Sequence, residues 1–191
     1  MLAHPKHPEI SIESLEGYTE DAGSPTNPSV FLPSLLSARA HLPLPVQSDF
    51  CVELGGDAGH AWRNLGSLSL EDAYQKFLEG PEYFQEDFMW MFPRAFEYYY
   101  PVVDRYLRSA NVSNEFYRYD DGCQAWILGC CLESQFHWKD GSRPPDYVVS
   151  EIRDLAAFVR GHLNHYSNDP GEQDRIDACW VNLQNTLSTT A

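Results

Sequence analysis

Residues 83–101 constrain the fold more than any other stretch of this chain. They read Tyr-Phe-Gln-Glu-Asp-Phe-Met-Trp-Met-Phe-Pro-Arg-Ala-Phe-Glu-Tyr-Tyr-Tyr-Pro. Nine large aromatics stand here, Tyr83, Phe84, Phe88, Trp90, Phe92, Phe96, Tyr98, Tyr99 and Tyr100, with Glu86, Asp87 and Glu97 set among them. Aromatic side chains dominate the area buried on folding, so the core has to be assembled around this block. The block names no reaction.

Periodicity then assigns the elements. Residues 93–108 form the clearest amphipathic run. Phe92, Phe96, Tyr99, Val103 and Leu107 share one side, and Arg94, Glu97, Asp104, Arg105 and Arg108 share the other. Pro101 lies within the run and lacks the N–H that would bond to the carbonyl of Glu97, which predicts a kink or a tight restart. A helix is expected over 70–79, opened by Ser69 as cap and closed by Gly80-Pro81. A second is expected over 82–91, with Phe84, Phe88 and Met91 on one face. Residues 121–138 are apolar on every side and belong in the middle of a bundle. Two more helices follow, over 146–167 and after the turn at 168–171, the last carrying Ile176, Trp180, Leu183 and Leu187 on one face. Residues 49–54 alternate as a short strand would, and 55–60 read as a glycine-rich turn.

Residues 1–48 differ from the rest. Pro5, Pro8, Pro25, Pro28, Pro33, Pro43 and Pro45 forbid long regular elements there, which makes this stretch an extended, partly disordered arm. Val30, Phe31, Leu32, Leu35 and Leu36 predict that its second half packs on the body. The expected fold class is therefore all-α: an irregular bundle of about six helices over 49–191, with at most a short strand.

The chain of 191 residues has a formal net charge of −15. That balance argues against nucleic acid, whose phosphates call for clustered Lys and Arg, and against an anionic membrane surface. It suits a soluble protein that attracts a basic partner from a distance. The five cysteines, Cys51, Cys123, Cys130, Cys131 and Cys179, are odd in number and form no Cys-x-x-Cys. They make neither a disulfide framework nor a zinc module, and a reducing, cytoplasmic setting is expected. No signal peptide is evident at the N-terminus, and the longest apolar run, 125–132, is too short to span a bilayer.

No catalytic motif is present, and no cofactor is expected. The candidate partner-binding residues lie along the margins of the aromatic helices: Glu82, Glu86, Asp87, Glu97 and Asp104 as acidic groups on exposed edges, with Trp90 and Tyr98 beside them. Asp87 falls within an apolar arc. It is either paired structurally or forms the floor of a pocket, with its pKa raised by desolvation. A stripe of Cys123, Trp126, Cys130, Glu133 and His137 on the central helix offers the alternative, a metal or nucleophile site built on Cys130, Glu133 and His137. The simpler reading of that stripe has cysteines packing as small hydrophobes and Glu133 satisfying His137 at i,i+4. His162 and His165, flanked by Glu151 and Asp154, read as a surface pair near a helix end.

The stretch 61–109 contains "AWRNLGSLSLEDAYQKFLE" followed by "YFQEDFMWMFPRAFEYYYPVVDRYLRS". It resembles a family of uncharacterised bacterial proteins sharing an "EDLMWM-x-P-x-AF-x-YYLP" pattern, across roughly a quarter of the chain. Small acidic helical proteins of this kind include immunity proteins for secreted toxins, so the resemblance implies such a role and transfers no catalytic residue. Composition and resemblance together lead to the expectation of a non-catalytic acidic protein, an immunity factor or regulator, that binds a protein partner.

Overall fold

A computed structural model of the chain describes residues 35–110 and 124–189, without the side chain of Leu54. The first 34 positions of the proline-rich arm and Cys123 lie outside the described residues. Within Pro33–Ala191, which forms one compact unit, the described residues build eight α-helices. These are α1 (Leu35–Arg39), α2 (Gly56–Leu65), α3 (Leu70–Glu79), α4 (Pro81–Phe84), α5 (Pro93–Ser109), α6 (Ala125–Ser134), α7 (Asp146–Gly161) and α8 (Pro170–Thr189). None of the described helices is long and apolar enough to cross a membrane.

Helix α5 is the axis of the fold. Pro93 occupies its first turn, where a missing N–H costs nothing, and the helix continues through Pro101. The expected division into an apolar and a polar side holds only in part. Tyr98, Tyr100, Val102 and Asp104 are buried along with the predicted apolar face, because α1 and α7 cover the side read as polar. The carbonyl of Glu97, which Pro101 cannot serve, accepts a hydrogen bond from Arg39 Nη1 at 3.0 Å. A side chain from α1 thus completes the helix at its proline.

Helix α3 runs as predicted, with the Asp72 N–H donating to Ser69 Oγ at 3.2 Å. The helix expected over 82–91 does not form as one piece. After the single turn of α4 the chain becomes a 3-10 helix over Gln85–Trp90. The cause is competition for the bond that would continue an α-helix, from the Phe92 N–H to the Phe88 carbonyl. The Phe92 N–H instead donates to the Asp49 carbonyl at 2.9 Å, and the Phe88 carbonyl accepts from Gln135 Nε2 at 2.9 Å.

The strand expected over 49–54 is likewise replaced. Two short 3-10 turns, Gln47–Asp49 and Val52–Leu54, flank a single antiparallel bridge between Phe50 and Met91. Pairing cannot extend past it, since Pro93 has no N–H to offer and already begins α5. The glycine-rich segment read as a turn is helix α2. Gly55, at φ 67°, starts it, and Ala58, Gly59, Ala61 and Leu65 bury one face, so packing overrides poor helix propensity.

Helix α6 is shorter than the run predicted over 121–138 and packs against α8. Trp180, fully buried, donates from Nε1 to the Ala125 carbonyl at 3.1 Å. The contact depends on Gly129, where an added Cβ would stand 2.9 Å from Cys179 Sγ and 3.1 Å from Trp180 Nε1. Gly129→Ala is expected to cost about 1–3 kcal/mol in urea denaturation, as overpacked cores do. An unchanged midpoint would show that α6 and α8 can separate freely.

Candidate functional site

Four of the acidic-block candidates converge on one cavity. Glu82 and Tyr83 come from α4, and Glu86, Asp87 and Trp90 from the 3-10 helix. Asp57 and His60 come from α2, and the half-open space between them is about 220 Å³. The 3-10 geometry matters here: with three residues per turn, Asp87 and Trp90 stand in register, one above the other. In an α-helix the two would share a face but stand about 60° apart around the axis.

Asp87 is 5% exposed and its Oδ2 accepts from Asn64 Nδ2 at 2.9 Å. Burial pushes its carboxyl up to about 7, with the Asn64 hydrogen bond opposing and the charges of Glu86 and Asp57 adding to the rise. Asp87 thus takes its hydrogen bond from Asn64, while Arg94 pairs with Asp49, and it lines the cavity wall. Glu82 Oε2 and Trp90 Nε1 are both buried and have no hydrogen-bond partner among the described residues. Native structures seldom leave such atoms unsatisfied. Tyr83, 76% exposed, stands at the margin as an aromatic wall.

The expectation of an exposed edge fails for Asp87, and the remaining partner-binding candidates are placed elsewhere, with the same expectation corrected for Glu97 and Asp104. Asp104 is 6% exposed and accepts from Arg108 Nε at 2.9 Å; burial raises its pKa while Arg108 opposes the rise. Glu97 is half-buried, its carbonyl bonded to Arg39 and its carboxylate accepting from the Tyr147 hydroxyl. Tyr98 is 4% exposed and lines a separate, shallow cavity of about 270 Å³ with Leu36, Ser69 and Leu70. Periodicity could not reveal these fates, because the covering groups come from α1 and α7.

The alternative set on the central helix does not assemble as ligands. His137 Nε2 lies 3.8 Å from Glu133 Oε1, and Glu133 also accepts from Thr186 Oγ1 at 3.0 Å. Cys130 turns instead to Cys179. No group of three or more His, Cys, Asp or Glu side chains among the described residues could hold a metal ion. His162 stacks on Phe158 at 4.3 Å, and its Nδ1 meets the Phe158 carbonyl at 2.7 Å. Glu151, expected beside the histidines, is tied to Arg39.

A larger cavity of about 490 Å³ lies between Phe50, Cys51, Val52, Phe92 and Trp138. Its lining is mainly apolar. Burial pushes the Cys51 thiol up to about 11, which keeps it protonated and unreactive as a nucleophile at neutral pH.

Sequence reasoning missed the α2 half of the acidic cavity. Asp57, His60 and Asn64 recur at i, i+3 and i+7, the spacing of one helical face, and that signal was hidden by the adjacent glycines. No family model, no curated protein and no solved structure matches this chain.

Proposed function

We propose that the protein is a non-catalytic binding protein that seats a basic side chain of a protein partner in the cavity of Asp57, Glu82, Glu86 and Asp87. The observation that carries this reading is the convergence of those carboxylates, in a chain of net charge −15, on a space of about 220 Å³ with aromatic walls. An arginine or lysine head group fits the chemistry. It would pair with carboxylates that repel one another when the cavity is empty, and its flat face or stem would lie against Trp90 and Tyr83. The net charge adds long-range attraction, which raises the rate of encounter with a basic partner. The toxin-immunity role implied by the bacterial resemblance is consistent with such a site, and the acidic composition adds the preference for a basic partner.

The test is calorimetric titration with a hexa-arginine peptide at low salt. Glu82→Gln with Glu86→Gln is expected to weaken binding by about tenfold or more, as loss of two close charge contacts should. A control removes two exposed charges elsewhere, Glu79→Gln with Asp146→Asn, whose side chains are 64% and 89% exposed. Equal weakening by both pairs would reduce the effect to net charge and overturn the site.

A further inference from the structure

Cys130 on α6 and Cys179 on α8 are both half-buried free thiols, and their Sγ atoms lie 3.3 Å apart. A disulfide requires about 2.05 Å between sulfurs, so closure calls for little more than an ångström of movement. The surroundings hold the pair together. Trp180 donates to the Ala125 carbonyl, Thr186 bonds Glu133 across the same two helices, and Cys179 Sγ approaches the Trp126 carbonyl at 3.1 Å. Gly129 gives Cys179 its room, since a Cβ there would stand 2.9 Å from the sulfur.

The geometry points to Cys130 and Cys179 as an oxidative modification site, a reversible disulfide between α6 and α8 formed by exchange with a small-molecule disulfide such as oxidised glutathione. Burial raises the pKa of Cys179, with the neighbouring thiol adding to the effect, which disfavours Cys179 as the first nucleophile and leaves the opening attack to Cys130. Its thiolate displaces one glutathione thiolate and leaves a mixed disulfide on Cys130. Cys179 then attacks Cys130 Sγ and expels the second glutathione. Each protein thiol gives its proton to a departing thiolate, so two protein thiols are oxidised and one glutathione disulfide is reduced to two thiols. Cys51 and Cys131 are buried, whereas Cys130 and Cys179 are both partly open to solvent.

The crosslink would join positions 49 residues apart. Closing a loop of that size is expected to raise the Tm by roughly 10 °C, reversed by dithiothreitol. The experiment treats the full chain with oxidised glutathione, maps unreduced peptides by fragmentation, and records melting. One linkage between Cys130 and Cys179 is expected. It should persist in Cys131→Ala and be lost, together with the Tm shift, in Cys130→Ser and in Cys179→Ser. Thiols that remain free, reaction that stops at a glutathione adduct on Cys130, or an equal Tm shift in Cys130→Ser would each overturn the proposal.

Discussion

Asp87→Asn is expected to stabilise the protein at pH 8 by about 3 kcal/mol and to flatten its stability between pH 4 and pH 7. The carboxyl is 5% exposed, and burial raises it from 3.8 to about 7 in the folded chain. Below about pH 4 it is protonated in both folded and unfolded states, and its ionisation costs nothing. As pH rises towards 7, the unfolded chain gives up this proton first and the folded chain holds it, so stability falls. Above pH 7 the folded state carries the charge and its full burden, an upper bound of about 4 kcal/mol at 1.36 kcal/mol per unit. Asn keeps the shape and an oxygen for Asn64 without the charge. Urea denaturation at intervals from pH 4 to pH 8 measures the effect, and parallel curves for wild type and variant would refute it.

The same substitution separates stability from binding. Asp57, His60, Glu82, Tyr83, Glu86 and Trp90 face the cavity with Asp87, and the other acidic groups keep their charges in the variant. A cation seated there favours the Asp87 carboxylate, so wild-type affinity for hexa-arginine should fall as pH is lowered through 7. His60 shares the cavity, and the comparison with Asp87→Asn isolates the aspartate's share of that dependence. A residue that lowers stability and raises affinity is behaving as a site residue; one that only packs would do neither.

How much of this was legible depended on where each backbone bond finds its partner. Helix α3 was readable to the residue because Ser69 and Gly80 close it locally. The start of α5 was readable for the same reason, from Pro93. The 3-10 helix was not, since its course is decided by Asp49 and Gln135, 43 and 47 positions from the groups they bond. The acidic half of the cavity could be named from the aromatic block, where a carboxylate among large apolar residues is conspicuous. The α2 half was obscured because Gly55, Gly56 and Gly59 suggest a turn to any local rule. Glu97 and Asp104 misled for the opposite reason. Their helical spacing was right, but the side they occupy is covered by elements remote in sequence.

The covering is testable through its most buried charge. Arg39→Ala should cost about 2 kcal/mol, less than the loss of one partner from a fully buried ion pair because the Glu151 side chain is 25% exposed and can be solvated. Arg39 is 4% exposed, pairs with Glu151, and lies 5.7 Å from the Tyr100 ring centre and 5.1 Å from that of Tyr147. Burial already raises the pKa of Glu151 and Arg39 opposes the rise, so losing Arg39 moves the carboxyl further up. A raised carboxyl loses stability as pH increases, and the cost of Arg39→Ala should therefore be greater at pH 8 than at pH 5. The substitution also strands the Glu97 carbonyl, which Arg39 serves in place of the N–H that Pro101 lacks. Pro101→Ala restores that N–H. The double variant should consequently be more stable than the sum of the two single effects predicts, by about 1 kcal/mol. Strict additivity would show that the Glu97 carbonyl is satisfied some other way. Arg39 does not line the acidic cavity, so hexa-arginine affinity at pH 8 should be unchanged in Arg39→Ala, provided the titration is run well below its melting temperature.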